Sequence, residues 1–313
     1  MNVAVIDMGT NTFHFIIVEL NGDDFKVLFR EKVAVKIGEN GINQGVIIPE
    51  AIERAISTLK RFKMTLETYH VEEISATATS AIRNAKNGVE LVKLIEKETG
   101  FKTRIISGRE EANYIYYGVK KALKIGPKPQ LIMDIGGGSI EFILGTDEKV
   151  EWMHSFEIGG LRLLEKFHKH DPITKNEITR IEHFLEEELK LLFNICKGYE
   201  LDTLIGSSGT FDTLSDIYRL GIGIEKTPEM TEYPLPIESY TEIAADLIHK
   251  TRDERMKIPG MIELRVEMIV VATILICFVV NKLNIKHLRV SAYALKEGVL
   301  LNTIQKLKDR QLS

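Results

Sequence analysis

Two short stretches of the chain carry the same chemical plan. In Asp7-Met8-Gly9-Thr10-Asn11-Thr12 and in Asp134-Ile135-Gly136-Gly137-Gly138-Ser139, an apolar run delivers a carboxylate, and glycine and small polar residues follow. Glycine has no Cβ to keep a ligand off the backbone, so the N–H groups of such a turn can converge on an oxyanion. Thr10, Asn11, Thr12 and Ser139 add side-chain donors. A glycine run between strands is also an ordinary tight hairpin. The repeat favours phosphate: Gly9 matches Gly136, Thr12 matches Ser139, and Phe15-Ile16 matches Phe142-Ile143. A third candidate, Gly206-Ser207-Ser208-Gly209-Thr210, ends an expected strand and opens an expected helix. There the amides around Ser208, Gly209 and Thr210 and the helix dipole favour an anion, with a plain serine N-cap as the alternative.

Asp7 and Asp134 end the first strands of two repeated halves and are expected to face each other across a cleft. Two carboxylates would repel a polyphosphate unless a divalent cation lay between them. Mg²⁺, which takes one or two carboxylates plus phosphate oxygens, or another divalent cation is therefore expected, with Glu141 as a third candidate ligand. In Ser107-Gly108-Arg109-Glu110-Glu111, Ser107 and Glu110 fit a capping box, which leaves Glu111 without a structural role. The eight histidines show no ligand spacing, so zinc is not expected.

These groups need elements to hold them. Asn21-Gly22-Asp23-Asp24 reads as a turn before a third strand, Phe25–Val35. A helix from Pro49 to about Tyr69 follows, then a strand at Val71–Thr77, a helical stretch Ala81–Thr99, a strand Lys102–Ile106 and a helix Arg109–Lys124. Ile125-Gly126-Pro127-Lys128-Pro129 is the Pro/Gly-rich linker, which places one domain at 1–124 and a second at 125–313. The second half restarts with strands Gln130–Asp134, Ile140–Leu144 and Lys149–Ile158. Helices Leu161–His168 and Lys175–Lys197, a strand Leu201–Ile205 and a helix from Gly209 follow. After a loop Pro228–Pro236 come helices Tyr240–Lys250 and Glu263–Leu283, a strand Lys286–Ser291 and a last helix, 293–310, at the domain junction. Such a duplicated βββαβαβα order, each copy opening on Asp-x-Gly in a hairpin, resembles the α/β actin-like ATPase (ribonuclease H-like) superfamily with a central cleft.

Bulk properties narrow the partners. At 313 residues, 44% hydrophobic, 27% charged and net −4, the chain is an ordinary globular protein, not built for nucleic acid or an anionic membrane. Cys196 and Cys277 lie in apolar helical surroundings, and no basic stretch precedes an apolar signal core, so a cytoplasmic chain without disulfides is expected. The apolar run Met268–Val280 is shorter than the roughly 20 residues that span a bilayer and reads as a core helix that could contribute to a homodimer.

The motifs taken together resemble the Ppx/GppA family of exopolyphosphatases and guanosine pentaphosphate phosphohydrolases. They are Ile6–Thr12, Ala78-Thr79-Ser80-Ala81-Ile82-Arg83-Asn84-Ala85-Lys86-Asn87, Ile106–Ala112, Asp134–Phe142, Gly206–Thr210 and Leu295-Lys296-Glu297-Gly298-Val299-Leu300. The resemblance implies that Glu111 is the general base that activates water and that Arg83 binds the phosphate under attack. It also implies that Asp134 and Glu141 hold the metal or position the water. The implied reaction removes the terminal phosphate of inorganic polyphosphate, or converts guanosine pentaphosphate to the tetraphosphate, with Mg²⁺. This chain departs from the family in Ala294-Leu295-Lys296-Glu297-Gly298, where a Gly-Leu-Arg-Glu-Gly run is usual, and around Glu263 and Glu267 after Pro259-Gly260. It is read as a short form without the helical C-terminal extension, with weaker retention of very long polyphosphate. A kinase of the same superfamily would need a glycine pair for adenosine, which Ser291–Gly298 lacks. A non-catalytic polyphosphate or alarmone sensor is the reading from another class.

A net negative chain that takes a polyanion must concentrate positive charge locally, with Arg83 central and Lys32, Lys36 and Arg109 as candidates. Affinity for polyphosphate is therefore expected to fall as ionic strength rises. A titration whose dissociation constant stays flat from low to high salt would count against that local field.

Overall fold

The structure is a computed structural model that describes residues 1–22, 24–227 and 229–312, the side chains of 311 and 312 excepted. Asp23 of the expected turn and Pro228 at the head of the expected loop lie outside the described residues. The chain divides into two compact units. One comprises Met1–Gly118, Gly136–Gly138 and the segment from Leu295 onward; the other comprises Val119–Ile135 and Ser139–Ala294.

The first unit is built on β1 (Asn2–Met8), β2 (Phe13–Asn21) and β3 (Asp24–Val33). A short 3-10 turn, α1 (Pro49–Thr68), β4 (Glu73–Ala78), α2 (Ser80–Asn84), α3 (Gly88–Thr99), β5 (Thr103–Ile105) and α4 (Gly108–Ala122) follow. The sheet order is β3-β2-β1-β4-β5. β1 is central, which is why Val3, Ala4, Val5 and Ile6 form an unbroken apolar run with no exposure and carry Asp7 to the strand end. Proline at the first turn starts α1, whose Phe62 stacks on Phe15 of β2 at 4.5 Å. The expected single helix over 81–99 is two. The Asn87 side chain accepts from the Ile47 amide at 2.9 Å and donates to the Ile47 carbonyl at 2.8 Å, holding the chain extended at Ala85 between α2 and α3.

The second unit repeats the plan with β6 (Gln130–Ile135), β7 (Ile140–Gly145) and β8 (Val150–Phe156). Then come α5 (Gly160–Phe167), α6 (Lys175–Glu188), α7 (Lys190–Cys196), β9 (Thr203–Ser207) and α8 (Ser208–Gly221). β10 (Glu232–Tyr233), α9 (Ile237–His249), α10 (Arg252–Met256), α11 (Met268–Leu283) and β11 (His287–Ser291) complete it. Its sheet order is β10-β11-β9-β6-β7-β8. Counted from the hairpin end this is the order of the first sheet with β10 added at the edge. In both units the first three strands pair antiparallel, and β4 and β5, like β9 and β11, join in parallel through helical crossovers, while the added β10 pairs antiparallel with β11, so the fold is a duplicated βββαβαβα of the actin-like class.

Several elements differ from the sequence reading. β10 lies inside the expected loop. α10 opens on a capping box between Thr251 and Glu254 that the Thr-x-x-Glu spacing signals. Helix α11 begins at Met268, and residues 263–267 are turns. Its apolar run packs against α5, α6, α7 and α9 of its own unit. No described helix is long and apolar enough to cross a membrane.

The unit boundary falls within α4, between residues 118 and 119, not at the linker. Asp147 explains this, because its carboxylate accepts from the amides of Ile125 and Gly126 at 2.8 and 3.0 Å and ties the linker into the second unit. The last helix, α12 (Leu295–Leu312), joins the first unit, where it packs on β1 and β4. A Cβ on Gly298 would lie 1.8 Å from the Tyr114 carbonyl oxygen of α4. Only glycine lets these two helix backbones meet, and α4 is the helix that carries Glu111. Gly298→Ala is therefore expected to destabilise the protein by about 1–3 kcal/mol through forced separation. Gly221→Ala, in helix α8 where an added Cβ meets nothing within 4 Å, should hold or raise the midpoint of chemical denaturation. Equal midpoints for the two variants would show that the close packing is not needed.

Candidate active site

In the first unit the turn between β1 and β2 is shaped by its backbone. The Gly9 amide donates to the Thr12 carbonyl at 3.1 Å. The Thr10 and Asn11 carbonyls accept from Gly38 at 3.1 Å and Lys36 at 2.8 Å, so the segment after β3 fixes the peptide planes of the turn. That segment needs Lys36 and Asn40 in the left-handed region, at φ 51° and 56°. Arg54 of α1 holds it, donating to the carbonyls of Val35 and Lys36 at 2.9 and 3.0 Å. The sequence reading treats this stretch as a loop and passes over Arg54. Lys36, expected to add to the positive field, has Glu39 at 3.5 Å from its ammonium.

Gly136–Gly138 belong to the same unit. A Cβ on Gly138 would sit 2.4 Å from Ser80 Oγ and 2.6 Å from Thr10 Oγ1, and one on Gly137 would sit 3.1 Å from the Thr10 side chain. The glycines thus serve a close approach between two turns as well as an open backbone. Thr12 Oγ1 is buried and has no hydrogen-bond partner in the structure.

α4 brings two expected residues together. Arg83, in the last turn of α2, donates to Glu111 Oε2 at 2.7 Å and to the Ile106 carbonyl at 3.1 Å, and both side chains are buried or nearly so. The capping box is present: the Ser107 amide and hydroxyl donate to Glu110 Oε2 at 2.9 and 3.0 Å, and the Glu110 amide donates to Ser107 Oγ at 3.2 Å. The bond from the Ser107 amide, with Arg104 adding to it, holds the Glu110 carboxyl below the usual range in spite of partial burial. Glu110 is a structural residue, and Glu111 beside it is joined to a guanidinium.

In the second unit Asp134 stands opposite Glu141 in the β6–β7 ladder and beside Ser207 in the β6–β9 ladder. Ser207 Oγ donates to Asp134 Oδ2 at 2.6 Å, and Ser155 Oγ donates to Glu141 Oε1 at 2.6 Å. Like charges directly opposite in a sheet repel, and these two carboxylates are 5% and 1% exposed. Such a pair suits a cation. Among the described residues no group of three His, Cys, Asp or Glu side chains stands together as a metal site. One or two carboxylates can share such an ion with phosphate oxygens.

Since Ser207 is committed to Asp134, it does not cap α8, and the first amides of that helix have no side-chain cap. Ser208 is held at φ 73°, a costly conformation for a residue with a Cβ. Against Gly209 lies Arg265, whose Nη2 would be 2.1 Å from an added Cβ. Arg265 is 6% exposed and its Nε has no hydrogen-bond partner in the structure. Burial lowers its pKa, while Asp212 and Asp134 act to raise it. A buried guanidinium beside uncapped helix amides has the chemistry to hold an anion. The sequence reading weighs Glu263 and Glu267 and misses Arg265 between them, which no motif sets apart from a surface arginine.

Fold and site together define a phosphoryl-handling enzyme of the actin-like class. The family model of the Ppx/GppA phosphatase family matches residues 16–307, and the chain belongs to that family. It is similar to the crystal structure of an exopolyphosphatase from Cytophaga hutchinsonii, with 40% identity, a TM-score of 0.94 and 98% of each chain covered. The Aquifex aeolicus member of the Ppx/GppA family is 27% identical with a TM-score of 0.81, again over 98% of each chain. Exopolyphosphatase 1 of Mycobacterium leprae is 24% identical over 311 residues, 99% of this chain and 91% of that protein. The chain is a hydrolase of phosphoanhydrides.

The strained Ser208 gives a direct check. Ser208→Gly is expected to hold or raise stability, whereas Ser208→Val should lower it by about 1–3 kcal/mol, because a β-branched residue is excluded from positive φ. Equal denaturation midpoints for the two would mean that the turn is not left-handed.

Proposed function

We propose that this protein is an exopolyphosphatase that cleaves the terminal phosphoanhydride of inorganic polyphosphate with water and releases orthophosphate. The Glu111–Arg83 pair carries the reading: a buried carboxylate fixed by a guanidinium and free of the capping role that Glu110 fills. The 40% identity to an exopolyphosphatase supports the choice of substrate.

In this mechanism Glu111 accepts a proton from water as the water oxygen bonds to the terminal phosphorus, and the bridging oxygen leaves with the shortened chain. Arg83 orients Glu111 and offsets charge on the phosphoryl oxygens. Arg265 and the first amides of α8 bind phosphate groups, and Gly9–Thr12, Gly136–Gly138 and Ser139 supply further donors. Asp134 and Glu141 would hold Mg²⁺, which would neutralise negative charge and polarise phosphoryl oxygens.

Adjacent glutamates separate base from cap. Glu111→Gln keeps size and polarity but removes the proton acceptor, so turnover should fall on the order of 10²–10⁴-fold with substrate binding retained. Glu110→Gln removes the same charge one residue away and should stay within a few-fold of wild type, since an amide oxygen still accepts the Ser107 bonds. Phosphate release from polyphosphate, guanosine pentaphosphate and ATP, each with and without a chelator, tests the substrate. Preference for guanosine pentaphosphate would replace polyphosphate as substrate, and an unaffected Glu111→Gln would remove the base.

A further inference from the structure

A second polar cavity lies in the first unit, away from the groups above. It has a volume of about 140 Å³ and is lined by Glu73, Ser75, Arg104, Tyr114, Asn302, Lys306 and Arg310, among others. It is closed by α12 over the β4–β5 edge and the second turn of α4. That space suits a compact group of one or two phosphoryl units.

The lining holds three cations and one carboxylate. Arg310 is 3.7 Å from Glu73, a long ion pair. Arg104 bridges Glu110 on one side and donates from Nη2 to the Tyr114 hydroxyl at 2.6 Å on the other. Lys306 makes no ion pair among the described residues. A concave, partly enclosed wall with an excess of positive charge focuses an anion-attracting field.

The hydroxyls carry the argument further. Tyr114 is only 7% exposed. Its oxygen accepts from Arg104 Nη2 and from Asn302 Nδ2 at 3.5 Å, so the phenol proton is left to donate, and no acceptor for it is present among the described residues. The Ser75 hydroxyl, on the same wall, also has no protein partner there. A buried hydroxyl proton without an acceptor is costly. Here the proton of the buried Tyr114, the half-buried Ser75 hydroxyl and three cations converge on one small space, and what completes that set is a compact ligand with several acceptor oxygens and negative charge.

We infer that this cavity is a binding site for a small phosphoryl oxyanion of the orthophosphate or pyrophosphate class, held by Arg104, Lys306 and Arg310 and oriented by the hydroxyls of Tyr114 and Ser75. A carboxylate monoanion would balance less of the charge and leave donors unused, and a longer polyphosphate exceeds the space. Arg104 links the site to α4, because its other contact is the Glu110 carboxylate that caps this helix.

The test is calorimetric titration of the full chain, free of metal, with inorganic phosphate and separately with pyrophosphate. Parallel titrations use Lys306→Met, Tyr114→Phe and Arg265→Gln. Lys306 is an exposed helix residue, so its variant should fold normally, and matching melting curves confirm this. The expected result is a binding event that survives Arg265→Gln and weakens about tenfold or more in Lys306→Met and in Tyr114→Phe. Phosphate binding that is lost with Arg265→Gln and unchanged in Lys306→Met would assign it to the α8 site and overturn the inference. So would the absence of heat up to about 10 mM of either ion, beyond the millimolar range of weak sites. None of these readouts depends on turnover, so the inference stands or falls apart from the proposed activity.

Discussion

Burial of charge at strand and helix ends is the constraint on which the rest of this structure depends. Asp7, Glu111, Asp134, Glu141 and Arg265 are each less than a tenth exposed. An ionised group in such a place is costly unless hydrogen bonds or opposite charge surround it. The surroundings are built accordingly: Arg83 on Glu111, Ser207 on Asp134, Ser155 on Glu141, and the Asp134 and Asp212 charges around Arg265. Arg265 Nε has no hydrogen-bond partner among the described residues, which suits a phosphate, and the facing carboxylates of Asp134 and Glu141 suit a cation.

That constraint also accounts for the scaffold. β1 and β6 are apolar and central because each must carry a carboxylate to its end without slipping in register, and two-sided burial specifies register strongly. The glycine turns follow for a different reason. Gly137 and Gly138 pass against Thr10 and Ser80, and Gly298 passes against the Tyr114 carbonyl. A methyl group would displace the Thr10 and Ser80 side chains at the first two and push two helix backbones apart at Gly298. The left-handed Ser208 is strain held at the same place, between a strand and a helix whose first amides are left uncapped.

Capping divides the two neighbouring glutamates of α4. A capping box satisfies both partners locally, so Glu110 is occupied by Ser107 and Arg104, and Glu111 one position on turns to Arg83. The same helix meets α12 at Gly298 and lines the second polar cavity with Tyr114. A single element therefore joins the proposed base, the C-terminal helix and the inferred oxyanion site.

Local rules determined much of this from sequence alone. The paired hairpins, the duplicated strand order, the Ser107–Glu110 box and the exclusion of a membrane helix follow from periodicity, glycine placement and capping spacing, which act within a few residues of one another. Resemblance of motifs supplied the family and the roles proposed for Glu111 and Arg83. Tertiary structure decided what depends on groups distant in the chain. Arg265 meets Gly209 from a distant part of the chain, and no local pattern marks it. The side to which α12 belongs was set by a close contact at Gly298, not by the linker, which Asp147 ties to the second unit. Arg54 and the left-handed Lys36 shape the first turn through carbonyls, whose partners no side-chain motif encodes. Hydrogen bonds and packing between distant segments form only when the chain is folded, and that is why these parts of the site were not legible before it was.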